Sequence, residues 1–477
     1  MNAEKKAAEE RLLESSLRSL LGRVPGARRQ PARSSQWLAA ACLALGLGVV
    51  GASMWLQRDG RGSDPTSAPA QDPESEPLPD ELSGDATTLS SLPADAQNLN
   101  LRLSGPRELD ALVRFPHLRR LQVQNAVPGV GDTANAPRWS ARSLRDAPDA
   151  LAALTVFREL EVLELPHEFV LRPDHLRPLR ELPRLRTIAF HGGLGCDAAL
   201  GDALAHLVAL RGLRIVGSKV DAAFFDELAS APLLELKLLA CPGLDADAWH
   251  TLGRLRTLRH LEVTCQHAGT IGIEDTTCHL GTLGNEAFDA FAALPALRAL
   301  LLDESDFDDS MLSRLPEKLE LLDLGDRPMQ SSLTAAALRR LGGLRDLTFG
   351  CGLDADAAIA LIGTLRLRRL DYRGRWFRSD LLGVIAAQPD LIELSLRMQR
   401  PRNDFAPLTN APRLESLRLL GTGGSLGQVE QQIPVDDLKL LRDCKALRKV
   451  QLVNCGFGPS VASQLGPAIR VEVTEYL

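Results

Sequence analysis

The hexad L-x-x-L-x-L recurs thirteen times between Leu118 and Leu452. It begins at Leu118, Leu160, Leu185, Leu210, Leu233, Leu258, Leu297, Leu319, Leu344, Leu367, Leu391, Leu414 and Leu447, with most copies 22–25 residues apart. Nothing else in the sequence constrains the fold as much. In each copy the last two apolar positions alternate with a polar one, the pattern of a short strand with one buried face. The segments between copies, such as "LTAAALRRLGGL" (333–344) and "LDADAAIALIGTL" (353–365), have helical apolar spacing and an Asp or Thr suited to an N-cap. Pro116, Pro183, Pro295, Pro389 and Pro412 each precede a hexad by two residues, where proline ends a helix. One such unit cannot bury its apolar face alone, but a stack of them can.

This spacing, held over roughly residues 97–477, resembles the leucine-rich-repeat family. The resemblance implies an α/β solenoid, a horseshoe with a parallel sheet on its concave side, and a binding role without catalysis or cofactor. Cys241 and Cys455 stand at the ninth position of their repeats, where family members place Asn or Cys to bond backbone at the turn. Other repeats carry Ala126 or Gly352 there. The helical connections resemble the ribonuclease-inhibitor-like and cysteine-containing subclasses, though the repeats are shorter than those of the former. "LNLRL" (99–103) and "IRVEV" (469–473) read as edge caps, and the core is expected from Leu, Ala and Val because only 4% of residues are aromatic.

Upstream, Trp37 to Leu56 is a twenty-residue run without a charge, the length of a membrane-spanning helix. "GLGVVG" (46–51) inside it matches a dinucleotide fingerprint, but no second strand or acidic partner follows. Ala40, Ala44, Gly48 and Ala52 instead form a small-residue stripe for helix packing, and so for a homodimer through this helix. About 36 residues precede the run, more than a cleaved signal peptide has, so an uncleaved anchor is expected. Residues 1–36 carry eight Lys/Arg against four Glu, which places them in the cytoplasm and everything after 56 outside it. Within 2–24, Ala8, Leu12, Leu13, Leu17, Leu20, Leu21 and Val24 share one side of a helix, suited to a membrane surface, to a cytoplasmic partner or to simple solvation. Residues 57–96, rich in Pro, Ser, Asp and Glu, read as a disordered stalk.

The formal net charge is −6, and the cytoplasmic segment holds +4 of the opposite sign, so the exported part lies near −10. That argues against nucleic-acid binding. "GGSLG" (423–427) fits a nucleophile elbow around Ser425, but the last histidine, His279, precedes it by six repeats, roughly 29 Å at about 4.8 Å per strand. Cys265, His267, Cys278 and His279 offer zinc-type ligands at an uncommon spacing; a Cys265–Cys278 disulfide, a Cys265–Cys241 pair and free thiols are the other readings. Three long connections, 124–157, 265–290 and 421–440, emerge on one edge of such a stack.

The strongest candidate site is a run of nine Arg against four acids in 366–402. Arg369, Arg373, Arg375, Trp376, Arg378, Arg397 and Arg400 are its ligand-binding candidates. Arg and aromatic side chains together suit a protein partner, or a carbohydrate or other anionic ligand, whereas a solvated ridge is the plain alternative. The chain as a whole reads as a bacterial-type, single-pass membrane protein displaying a binding scaffold. Its second reading is a transmembrane regulator whose helix at 2–24 engages a cytoplasmic factor.

Overall fold

The structure is a computed structural model. It describes residues 82–85, 89–103, 106–125, 149, 151–166, 169–191, 195–242, 244–264, 283–302, 305–325, 331–350, 353, 355–374, 379–398, 405–421, 435–455 and 461–474. Among these residues sixteen strands form one sheet. The first eight are β1 Leu82–Asp85, β2 Asn98–Leu103, β3 Arg120–Asn125, β4 Val162–Glu164, β5 Thr187–His191, β6 Gly212–Val216, β7 Glu235–Leu239 and β8 His260–Thr264. The rest are β9 Ala299–Leu301, β10 Leu321–Asp323, β11 Asp346–Phe349, β12 Arg369–Tyr372, β13 Glu393–Met398, β14 Ser416–Gly421, β15 Lys449–Val453 and β16 Arg470–Thr474. Every pairing is parallel, and spatial order equals chain order. The thirteen hexads supply β3 to β15, and the two expected caps supply β2 and β16.

Register repeats with the sequence. Leu347, Leu370, Leu394, Leu417 and Val450 lie side by side on successive strands and are almost fully buried. They join the inward faces of the connecting helices in one continuous apolar core. The connections are α-helices in some repeats, such as Ala198–Ala205, Ala222–Leu228 and Ala246–Leu252, and 3₁₀ helices in others, such as Ala152–Val156 and Asp309–Arg314. Asp197, Asp221 and Asp245 cap the three α-helices, accepting from the backbone N–H of Leu200, Phe224 and Ala248 at 2.9–3.0 Å. Each cap satisfies a donor that the first helical turn leaves open.

Three features depart from the sequence reading. The sheet starts at β1 and the chain turns back at Leu89–Ser91, both inside the 57–96 segment read as a stalk. Leu89 is buried and Leu82 and Leu92 pack against the core, so the end of that segment belongs to the fold. Three leucines were too few to show a period. Rings also matter more than their scarcity suggested, because every described phenylalanine is buried. Phe288 meets Phe291 of its own helix edge-on and Phe307 at a tilt, and Phe349 meets Tyr372 of the next strand edge-on.

The third departure is the turn ladder, which extends beyond the cysteines. Ser218 and Ser305 occupy the same ninth position as Cys241 and Cys455. Their hydroxyls donate to Val216 O at 3.4 Å and Val263 O at 3.0 Å. The thiols donate to Ile215 O and Leu239 O, and to Leu419 O and Val453 O, at 3.3–3.5 Å. Just before three of these residues the backbone turns left-handed, at Gly217 (φ 64°), Ala240 (φ 50°) and Asn454 (φ 52°). A small donor there adds a side-chain hydrogen bond to the backbone carbonyls at the turn.

Candidate functional site

Alternation along each strand sends every second side chain to the sheet face opposite the helices, here called the open face. On β12 the core takes Leu370 and Tyr372, leaving Arg369 and Asp371 on the open face, half-buried. Arg373 follows and stays beside Asp371, its Nε donating to Asp371 Oδ2 at 3.0 Å. Parallel register then builds two rows across the neighbouring strands. One row runs Asp346, Arg369, Glu393, Ser416, Lys449, Arg470, and the other runs Thr348, Asp371, Ser395, Arg418, Gln451, Glu472. Arg369, Asp371 and Arg373 therefore share this face with Glu393, Ser395 and Arg397 of β13.

These side chains are organised by one another. Arg369 Nη2 donates to Asp346 Oδ2 at 2.5 Å, and this hydrogen bond holds the guanidinium above its ordinary pKa. At the far end, Glu472 accepts from Gln451 Nε2 at 2.7 Å and meets Lys449 Nζ at 3.1 Å and Arg470 Nη2 at 3.0 Å. The Gln451 hydrogen bond leads in pulling its carboxyl below the ordinary range. Arg369 and Arg373 are therefore held in place by Asp346 and Asp371. A fixed guanidinium has already lost the rotamer freedom that binding would cost. One oxygen of Asp346, one of Asp371 and the Ser395 hydroxyl are buried on this face without a protein hydrogen bond.

A second charged group lies on β7 and β8. Lys237 Nζ bridges Glu235 at 3.3 Å and Glu262 at 3.2 Å. Burial alone would lower the Lys237 pKa, but Glu262 and Glu235 hold it above its usual value. Burial pushes neighbouring His260 down, against the pull of Glu235, which favours neutral imidazole near pH 7.

Between the two charged groups the open face changes character. Beside Asp323 of β10, the open face there presents Ala299 and Leu301 of β9 and Leu321 of β10, all half-buried. Those are hexad positions that most repeats fill with polar residues. The signal was present in "LRALLL" and "LELLDL", where leucine occupies an outward position as well as the inward ones. Counting matches to the hexad hides it, because an extra leucine never breaks the pattern.

The remaining candidates of the Arg-rich run, Arg375, Trp376, Arg378 and Arg400, lie outside the described residues, as do Cys265, His267, Cys278, His279 and Ser425. The same holds for Ala40, Ala44, Gly48, Ala52 and the whole of 1–81, and for most of the three long connections. Among the described residues no helix is long and apolar enough to cross a membrane, and no group of three metal-ligating side chains occurs. Cys196, Cys241, Cys444 and Cys455 are buried, and none forms a disulfide among the described residues. On the helix side, a 560 Å³ cleft is lined by Asp226, Arg254 and Arg256, with Asp226 and Arg254 already paired at 2.8 Å.

No family model and no curated protein matches the chain. Among solved structures, an internalin (inlF) of Listeria monocytogenes is 17% identical, with 68% of this chain and 80% of that one covered at a TM-score of 0.38. A leucine-rich-repeat protein of Leptospira interrogans is 15% identical, covering 82% of this chain and 100% of its own at 0.37. TLR13, in a complex with ssRNA13, is 16% identical over 79% of this chain and 60% of its own, at 0.38. What carries the fold is this chain's own register: sixteen parallel strands in chain order, joined by helical connections, fit a leucine-rich-repeat solenoid.

Proposed function

We propose that the protein is a single-pass, membrane-anchored, non-catalytic binding scaffold whose solenoid engages another protein outside the cytoplasm. The observation that carries the binding role is the ordered charge on the open face. From β12 to β15 that face holds Arg369, Arg373, Arg397, Arg418 and Lys449 against Asp371 and Glu393, within a chain of formal net charge −6. Local charge opposite in sign to the whole steers and orients a partner. The anchoring rests on the apolar run 37–56 and its basic flank. Arg375, Trp376, Arg378 and Arg400 extend the same contact in this reading.

The test places a photo-crosslinking residue at Ser395 on the open face, and in a second variant at Val208, which is 78% exposed. A single discrete adduct is expected from Ser395 alone. Equal labelling from both positions would remove the face from consideration. For topology, a reporter active only outside the cytoplasm, fused after Leu477, should be active; activity of a cytoplasm-only reporter there would reverse the orientation.

A second reading rests on the one-sided apolar spacing within 2–24: a transmembrane regulator signalling to a cytoplasmic factor. Deleting 2–24 should abolish a regulator's output and leave a scaffold's binding intact.

A further inference from the structure

We propose that the edge of the solenoid at which the chain enters its strands lies against an anionic lipid bilayer. This rests on the membrane-anchored reading and adds to it how the solenoid meets its membrane. In each of the thirteen repeats, six residues lead up to and include the second hexad position, as 181–186 do before β5. Together these stretches hold eighteen Arg and Lys against eight Asp and Glu, in a chain of formal net charge −6. Arg184, Arg186, Arg256, Arg259, Arg366 and Arg368 are exposed there and form no ion pair among the described residues. Register sets arginines side by side. Arg211 N–H donates to Arg186 O, Arg298 N–H to Arg259 O and Arg368 N–H to Arg345 O, at 2.7–2.8 Å. Like charges on neighbouring strands repel, and an anionic surface turns that repulsion into attraction. The opposite edge, where helices begin, has the other sign: Asp197, Asp221, Asp245 and Asp308 stand at its N-caps. This polarity orients the domain.

Extent and exposed valines select a bilayer as the occupant. Cations occur on this edge in eleven of the thirteen repeats, from β3 to β15. The array follows the sheet for roughly 58 Å at about 4.8 Å per strand, and an extended surface can meet it at many points together. Val113, Val156 and Val208 are the exposed large hydrophobics among the described residues, at 57%, 52% and 78%. All three lie on this same edge, at or just past the ends of Pro106–Arg114, Ala152–Val156 and Ala198–Ala205. An anionic bilayer accepts both kinds of side chain, arginines at its phosphates and aliphatic groups below the headgroups. A soluble polyanion has no place for the valines. The bilayer is also within reach, because twenty-five residues separate Leu56, the end of the expected anchor, from Leu82 at the start of β1. Even fully extended they hold the solenoid within roughly 80–90 Å of it.

The test uses the full chain in nanodiscs of phosphatidylcholine, alone or mixed with phosphatidylglycerol, with doxyl-labelled lipid as quencher. A fluorescent amino acid replaces Val208 in one variant and Lys219, exposed on the opposite edge, in another. Quenching is expected at Val208 in the phosphatidylglycerol discs, and at neither position in discs without it. Each basic residue near an anionic leaflet favours docking about fivefold. Arg184→Ser, Arg186→Ser, Arg256→Ser and Arg259→Ser combined should therefore lower the docking equilibrium several hundredfold, about fivefold each, and abolish the quenching. About 1 M salt, where the Debye length is about 3 Å, should abolish it without any substitution. Equal quenching at both positions, none at Val208, or quenching indifferent to phosphatidylglycerol, salt and the arginines overturns the inference and leaves the anchor standing. Chain that separates from the discs in high salt overturns the anchored reading, and this inference with it. If the Val208 probe responds to a soluble sulfated glycan but never to phosphatidylglycerol, the occupant is a soluble polyanion and the bilayer is rejected.

Discussion

Gly421 ends β14 where that strand passes closest to the next turn. A Cβ built there would clash with the carbonyl oxygen of Asn454 and lie 2.6 Å from its carbonyl carbon and 3.0 Å from Cys455 Cα. All three are backbone atoms, so no side-chain rotation relieves the contact. Asn454 already sits in a left-handed turn (φ 52°), held by its N–H to Thr474 O at 2.9 Å and by the Cys455 thiol on Leu419 O at 3.3 Å. Gly421→Ala must therefore push the β15 turn outward. Overpacking of this kind costs about 1–3 kcal/mol, and one weakened turn hydrogen bond adds about 1 kcal/mol. The expected loss is about 2–4 kcal/mol, located at the C-terminal end of the stack, because repeat arrays couple mainly through nearest neighbours. Gly383 is the control, since a Cβ added there would meet nothing within 4 Å and the residue sits inside the helix Ser379–Ala386. Gly383→Ala should stabilise by roughly 0.5–1 kcal/mol. Native-state hydrogen exchange read by peptide mass reports both effects by position. If Gly421→Ala leaves β14 to β16 protected as in the parent, the close approach is wrong, and with it the packing of the last turn.

Three further outcomes follow from individual side chains. Asp221→Ala removes the cap on Phe224 N–H and should cost about 1 kcal/mol by urea denaturation, whereas Asp221→Asn should recover most of it. Glu472 titrates below its ordinary 4.5, so the tie it gives β16 is complete above that pH and is lost as pH falls through the folded value; exchange protection of β16 should drop in that window and stay unchanged between pH 6 and 8. Burial pushes the Cys196 thiol up to about 12, so native protein at pH 8 should resist iodoacetamide there while unfolded protein reacts fully, and prompt native alkylation would contradict its burial.

The repeat unit was legible in the sequence because its chemistry is local. Leu367, Leu370 and Tyr372 bury one face of a short strand, and Asp221 or Asp245 starts the following helix, whatever the neighbouring repeats contain. Stacking then follows from the need to cover that face, so the order and parallel sense of the strands were also implied. The outward positions of β12 and β13 came from the same alternation. Their consequences did not, because they depend on partners supplied by other repeats. Arg369 reads as a bare cation until register sets Asp346, 23 residues earlier, against it. Leu301 and Leu321 look like ordinary members of a leucine repeat until adjacent strands bring them together with Ala299. Ser218 and Ser305 show no sign in sequence that they replace Cys241 and Cys455 at the turn. Leu82 and Leu89 lie in a composition too polar to signal a strand, and only the uncovered edge of β2 gives them something to pack against. Periodicity records what a residue does within its own repeat. What it meets across the sheet, about 4.8 Å away in space but more than twenty residues away along the chain, is decided by register and packing.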